Sequence, residues 1–265
     1  MRKIIIDTDP GQDDALAMMT AFGAKKDLNV LGVTCVAGNV PLDLTSVNAL
    51  KICELSGFLS VPVFRGSPAP LERKLITAEH VHGKTGLDGT DLSVKKKELE
   101  PTDAVDFIIE CTQKYRDQKI TICALGPLTN IAKVLKKDTV LTESIEEIVL
   151  MGGGFFEGGN ITPAAEFNIY VDPEAAKIVL ESGLKITMLP LDVTHKTLVQ
   201  RNFLEKLRKS GKNSAIQAAK LLDFFERYDV EKYGSQGGPL HDPNVIVYLL
   251  NPEIYNGRLV NVEVE

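Results

Sequence analysis

Long apolar runs are missing from this chain of 265 residues. None approaches the roughly 20 residues that a membrane-spanning helix needs. Arg2 and Lys3 are followed by only three isoleucines before Asp7, too short for the apolar core of a secretory leader. Cysteine is sparse. Cys35, Cys53, Cys111 and Cys123 show no C-x-x-C or metal-type spacing, and each falls within an expected strand or helix, where a free thiol behaves as a small hydrophobe. Reduced cysteines of a cytoplasmic protein are the expectation. Concentrated positive charge is missing too. The net charge is −6, and Lys95-Lys96-Lys97 runs straight into Glu98 and Glu100 as a solvated loop. Nucleic acid and anionic membranes are therefore poor partners. There is no internal repeat, low-complexity tract or Pro/Ser-rich linker. With 44% hydrophobic and 25% charged residues, the chain suits one substantial core.

What is present alternates. Short β-branched runs at Lys3–Asp7, Val30–Val36, Ile120–Ala124, Ile148–Met151 and Lys185–Leu189 read as buried strands. Amphipathic helical patterns separate them at Asp14–Phe22, Leu42–Ser56, Ala104–Arg116, Thr129–Leu135 and Glu174–Glu181. Pro41 before the second helix and Gly57 after it are boundary signals. Such alternation predicts an α/β fold, a single domain over 1–265 whose mostly parallel central sheet is flanked by helices. Beyond Asp192 the character turns helical, at Leu198–Lys209, Asn213–Tyr228 and Val245–Leu250. The chemistry-bearing residues follow strands, and in an open parallel sheet the C-terminal strand ends line one crevice.

The densest chemistry stands at the start. Asp7, Asp9, Asp13 and Asp14 place four carboxylates within eight residues of the first strand's end. Their mutual repulsion raises their pKa values unless a cation compensates, and a hard divalent ion with oxygen ligands is the natural compensator. Familiar templates fail. An EF-hand from Asp7 needs Gly where Gln12 stands and Glu where Met18 stands. No phosphate-binding G-x-x-x-x-G-K-[ST] occurs, and Gly152-Gly153-Gly154 meets Glu157 at the last glycine position of a dinucleotide fingerprint. The plain alternative, acidic residues complementing a helix N-terminus, accounts for Asp13 and Asp14 but not for Asp9.

Three further segments carry two readings each. His241-Asp242-Pro243 is good helix-capping grammar on its own, with the His incidental; the Gly-rich Gly234–Pro239 stretch before it favours a site. The Gly158–Asn168 loop, with Asn160, Glu166 and Asn168, is either a turn-rich surface loop or an amide-and-carboxylate set suited to sugar hydroxyls. His80 and His82 lie in a long expected loop without a third metal ligand nearby, so a substrate contact is preferred for His82. Asp172-Pro173-Glu174 reads as a helix cap without chemistry.

Seven motifs in order resemble the inosine-uridine-preferring nucleoside hydrolases: D-T-D-P-G-Q-D-D-A (Asp7–Ala15), V-A-G-N (Val36–Asn39), G-P-L-T-N (Gly126–Asn130), M-G-G-G (Met151–Gly154), A-E-F-N-I-Y-V-D-P-E-A-A (Ala165–Ala176), L-D-V-T-H (Leu191–His195) and H-D-P (His241–Pro243). The resemblance implies hydrolysis of the N-glycosidic bond of ribonucleosides to base and ribose. It further implies a calcium ion (Ca2+) on the carboxylates of Asp9, Asp14 and Asp242 and the main-chain carbonyl of Leu125. Asp13, Asn39, Asn160, Glu166 and Asn168 match ribose-holding positions, with Met151 also in the substrate site. His82 matches a residue lining the base pocket and His241 one assisting base departure, while Asp9 would activate water. A homo-oligomer, dimer or tetramer, is implied as well.

The Leu221–Tyr228 segment and the G-G-P-L-H-D-P approach look most like the pyrimidine-preferring branch, with Tyr228 or Tyr233 either touching the base or serving as core. Family members usually add a further strand–helix unit after Val262-Glu263-Val264-Glu265, where this chain shows an alternating pattern that looks like an unfinished strand. Two other classes stay open: a magnesium-dependent phosphatase with an aspartyl nucleophile, and a non-catalytic nucleoside or calcium binder.

Overall fold

Ile4, Ile5 and Ile6 are all fully buried, which a strand achieves only when both faces of its sheet are covered. A computed structural model of the chain describes residues 1–137, 139–234 and 237–264; the side chains at 139–141, 229, 232 and 233, including that of Tyr233, also lie outside the description. Six strands, β1 (Arg2–Thr8), β2 (Leu28–Cys35), β3 (Val63–Arg65), β4 (Ile120–Ala124), β5 (Ile145–Met151) and β6 (Ile186–Leu189), form one sheet in the order β3-β2-β1-β4-β5-β6. Every pairing is parallel. Strand order reverses at β1, which lies between β2 and β4. In this topology that is the place where a crevice opens at the carboxyl ends of the strands.

Period-2 alternation sends successive side chains to two cores. Ile4, Ile6, Cys123, Val149 and Met151 face one, packed under α1 (Gln12–Gly23), α2 (Leu42–Leu55) and α11 (Pro243–Leu250). Ile5, Ile120, Ile122, Ile148 and Leu150 face the other, under α4 (Ala104–Lys114), α5 (Thr129–Lys137) and α7 (Pro173–Leu180). Each large side chain buried in this way contributes about 1.5–3 kcal/mol. The helical C-terminal portion comprises α9 (Arg201–Lys209), α10 (Asn213–Tyr233) and α11, with α9 and α10 forming a smaller core around Leu204, Ala219 and Leu222.

Several boundaries differ from the sequence-based expectation, each for a physical reason. β3 has only three residues, too few to show a period. β5 starts at Ile145 rather than Ile148, because Glu147 breaks the apolar pattern. That carboxylate is nevertheless buried, held by Arg2 at 2.6 Å, Lys185 at 3.3 Å and the Thr187 hydroxyl at 2.6 Å. Two expected loops each contain a short helix, α3 (Glu79–His82) and α6 (Phe167–Val171). Another short helix, α8 (Leu191–Thr194), follows β6. The tail expected as an unfinished strand has no regular structure over 255–264, since no neighbouring strand pairs with its backbone there. Within the Gly234–Pro239 stretch, Ser235 and Gln236 lie outside the described residues, while Pro239 bridges Leu198.

Asn130, at the start of α5, ties the strand ends together. Its amide nitrogen donates to Asp7 Oδ1 at 2.8 Å and to the Cys35 carbonyl at 3.0 Å, and its oxygen accepts from Ser67 N at 2.8 Å. Stranding a buried polar group costs about 1–3 kcal/mol. Asn130→Leu is therefore expected to lower the unfolding free energy by at least about 2 kcal/mol, read from the shift of the urea midpoint at constant slope. An unchanged midpoint would show that these bonds do not hold the sheet's end.

Candidate active site

β1 ends at Thr8, and α1 begins three residues after Asp9. The turn between them is built from side chains. Asp14 accepts from the Gly11 amide at 2.9 Å and from the Thr8 hydroxyl, so the first turn of α1 is closed by its own acid. Asn39, after β2, donates from its backbone to Asp9 Oδ2 at 2.7 Å and from its side chain to the Asp9 carbonyl at 3.1 Å and to Asp14 Oδ2 at 3.2 Å. Gly38 and Gly126 flank Asp9 on either side. A Cβ at either position would stand 2.1 or 2.2 Å from an Asp9 carboxylate oxygen, so both strand-end turns require glycine for close approach. Asp9 Oδ1 is left buried with no hydrogen-bond partner.

Asp242 settles the ambiguity of its segment. It occupies the N-cap position of α11, yet its side chain makes no capping bond. Its carboxylate turns instead toward α1, where oxygens of Asp13, Asp14 and Asp242 lie within 4.8 Å of one another, all buried. Burial, followed by the charge of Asp14, raises Asp9 well above the usual carboxylate range. The same causes push Asp13 up to about 7. Burial, then the charges of Asp13, Asp14 and Asp9, raises Asp242 well above its ordinary value. Four carboxyls this close cannot all ionise unaided. A hard cation fits them on two counts: the donors are all oxygen, and one buried oxygen lacks a partner. The sequence reading put Asp9 in the ligand set; the tight cluster holds Asp13 with Asp14 and Asp242, and Asp9 is near enough for its charge to raise Asp242.

A cavity opens above this floor. Asp13, Asn39, Leu125, Met151 and Asp242 line its acidic end, and Asn160, Glu166 and Asn168 form one side. The loop carrying those three is organised from within. Glu166 caps α6 by accepting from Asn168 N at 3.0 Å and Ile169 N at 3.3 Å, and it also accepts from Gly153 N at 3.0 Å. Burial pushes its carboxyl up to about 7. Asn160 Oδ1 accepts from Phe167 N at 2.9 Å. Asn168 donates to the carbonyls of Leu125 at 2.8 Å and Met151 at 3.2 Å. Asp172 caps α7 as expected, accepting from Ala175 N at 3.0 Å, and its other oxygen also accepts from Leu71 N at 2.9 Å and the Thr129 hydroxyl at 2.6 Å.

The far end of the cavity is aromatic. His82 stacks on Phe225 with ring centroids 5.5 Å apart, and His80 meets Tyr228 edge-on at 5.6 Å. His241 lies 6.4 Å from Phe225 and 5.8 Å from His195, and its Nδ1 is 2.8 Å from the Thr194 hydroxyl. Burial, then the neighbouring histidines, pushes His82 and His241 down to about 3, so both rings are neutral at physiological pH. Asp192, which follows β6, holds a loop rather than the site, accepting from the amides of Phe155, Phe156 and Glu157.

A sequence profile described as inosine-uridine preferring nucleoside hydrolase matches residues 4–265. This chain belongs to that family. Two curated relatives are similar over nearly all of this chain. A pyrimidine-specific ribonucleoside hydrolase RihA from Photobacterium profundum is 48% identical over 255 residues, covering 96% of this chain and 81% of its own. A pyrimidine-specific ribonucleoside hydrolase RihB from Escherichia coli is 41% identical over 264 residues, covering 100% and 83%. Among solved structures, a purine-preferring ribonucleoside hydrolase from Gardnerella vaginalis superposes with a TM-score of 0.94 at 32% identity, over 100% of this chain and 84% of the other. Membership of the nucleoside hydrolases removes the phosphatase alternative.

In this nucleoside hydrolase the structure also brings forward residues the sequence reading passed over: Gln12, His80, Thr194, His195 and Phe225. Gln12 was read only as the wrong residue for a calcium loop, and a lone amide has no spacing rule to mark it. His195 was noted after β6 without a role, yet it lines the cavity. Tyr228, left between base contact and core, lines it too.

The acids give this nucleoside hydrolase a pH signature. Asp13 and Glu166, near 7 in the fold, and Asp9 and Asp242, raised well above their ordinary values, titrate near 4 in the unfolded chain. Stability that these groups supply at low pH is lost as pH rises through their folded values. The depressed histidines act oppositely, but only below about pH 6.5, where the unfolded imidazoles charge. EDTA-treated protein is therefore expected to lose thermal stability from about pH 6.5 to pH 8.5, and saturating calcium to remove that loss. Melting curves that stay flat in EDTA would contradict the acid cluster's cost.

Proposed function

We propose that this chain hydrolyses pyrimidine ribonucleosides, uridine and cytidine, to the free base and ribose, with calcium as the resident ion. The observation that carries the reading is the Asp242 carboxylate, turned off its own helix to join Asp13 and Asp14 at the floor of a cavity whose other end is aromatic. The identity to pyrimidine-specific relatives supports the choice of base. Asp9, Asp14, Asp242 and the Leu125 carbonyl would hold the ion, with Asp13 close enough to join them. When bound, such an ion supplies the positive charge that makes a water molecule acidic and grips vicinal hydroxyls.

The chain's own residues do the rest. Asp13, Asn39 and Asn168 face the acidic end, where a ribose would present its hydroxyls, while Asn160 and Glu166 hold its side and Met151 packs beneath. Asp9, one oxygen of which is fixed by Asn39 N, would take a proton from the attacking water. Cleavage of the N-ribosidic bond passes through an oxocarbenium-like sugar and sends negative charge into the base. His241 would donate a hydrogen bond from Nε2–H to that base, its Nδ1 accepting from the Thr194 hydroxyl. Because burial keeps the ring neutral, it acts as an aimed hydrogen donor rather than as a store of imidazolium. The planar base would lie among Phe225, Tyr228 and His82. Assembly as a homo-oligomer and a cytoplasmic location belong to the same proposal, and sedimentation as a monomer would count against the first.

Reducing-sugar release from uridine, cytidine, inosine and adenosine tests the reading, with uridine and cytidine expected fastest. EDTA should abolish turnover and added calcium restore it; full activity in the metal-free protein would rule the mechanism out. Removing one donor aimed at developing charge costs about 10²–10³-fold, so His241→Ala should lower kcat by about that factor while KM moves only a few-fold. A kcat close to wild type would remove His241 from the reaction.

A further inference from the structure

Gln12 sits in the first turn of α1, fully buried, with every polar atom of its amide engaged. Its nitrogen donates to two backbone carbonyls, of His82 at 2.9 Å and of Asp88 at 3.2 Å. Two carbonyl oxygens can face only the NH₂ end of an amide, so the orientation of Gln12 is decided by its surroundings. Its oxygen Oε1 then points at His82 Nδ1, 2.7 Å away. An amide oxygen only accepts, so Nδ1 must carry the hydrogen. A neutral imidazole carries one, which leaves Nε2 as an acceptor. His82 lines the cavity at its aromatic end, stacked on Phe225. Among the described residues no hydrogen bond to Nε2 is made.

We propose that Gln12 is a positioning residue for base recognition: it holds the His82 hydrogen on Nδ1, so that Nε2 selects nucleosides whose base offers an N–H donor. Uracil has such a donor at N3 and cytosine at its exocyclic amine. A base whose facing edge carries acceptors alone is disfavoured, because two lone pairs then confront each other in a buried site. Discrimination here comes from an amide in the first turn of α1, not from a residue of the cavity wall alone. The inference rests on the nucleoside hydrolase reading for its substrate but not for its tautomer.

Long-range ¹H–¹⁵N spectra of the calcium-loaded protein report which imidazole nitrogen is protonated, with the His82 signal assigned by its loss in His82→Asn. The wild type is expected to show the Nδ1–H form and Gln12→Met a substantial Nε2–H population. In parallel, kcat/KM for uridine is compared with that for pyrimidin-2-one riboside, whose base has no N–H and no added bulk. The preference for uridine is expected to fall about tenfold in Gln12→Met, the size of one hydrogen bond. A wild-type His82 protonated at Nε2, or a preference unchanged by Gln12→Met, overturns the proposal. Should Gln12→Met fail to fold, the wild-type spectrum decides by itself. Absence of turnover on any nucleoside would sink the activity reading, and the spectrum would still settle the tautomer.

Discussion

Four carboxyl groups share one buried spot in this fold, and no cationic side chain stands among the groups that shift their titration. That arrangement is unfavourable by itself. Desolvation disfavours each charge, and each charge disfavours the others. The surrounding structure is what keeps them there: the Asn39 bonds, the Thr8 hydroxyl, the glycines that make room for Asp9 and the helix that delivers Asp242. A folded chain that carries such a cost is organised around whatever offsets it. The cavity, the amides along its side and its aromatic end are all placed with respect to this floor.

The two neutral histidines give the opposite end a different character. Burial disfavours their charge, so what these rings offer is the direction of single hydrogens rather than an ion pair. Thr194 stands behind one ring and Gln12 behind the other. Electrostatics thus concentrates at the acidic end of the cavity, and hydrogen-bond polarity at the aromatic end. A fold shared with a purine-preferring enzyme is compatible with this division.

Much of this was legible in the sequence. Strand–helix alternation gave the parallel sheet, since a strand buried on both faces must be apolar throughout, as Ile4-Ile5-Ile6 is. The acidic motif and the placement of chemistry after strands pointed to one crevice, and there the structure groups Asp13, Asp14 and Asp242, with Asp9 near enough for its charge to raise Asp242. What stayed hidden has physical causes. β3 is too short for a period. Glu147 fell outside the expected strand because a buried ion pair leaves no local mark. The choice between cap and site at Asp242 depended on where a carboxylate turns, which spacing does not state. Gln12 and Thr194 act through partners far away in the chain, so neither has a local pattern.

The route by which Asp242 reaches the floor has a consequence for biogenesis. Asp14 and Asp242 are separated by more than two hundred residues, and the acid arrives only when α11 docks against α1. During translation the earlier acids therefore emerge long before their last companion. A half-made chain has no complete ion-binding pocket, so capture of the ion would report that the final helix has found its seat.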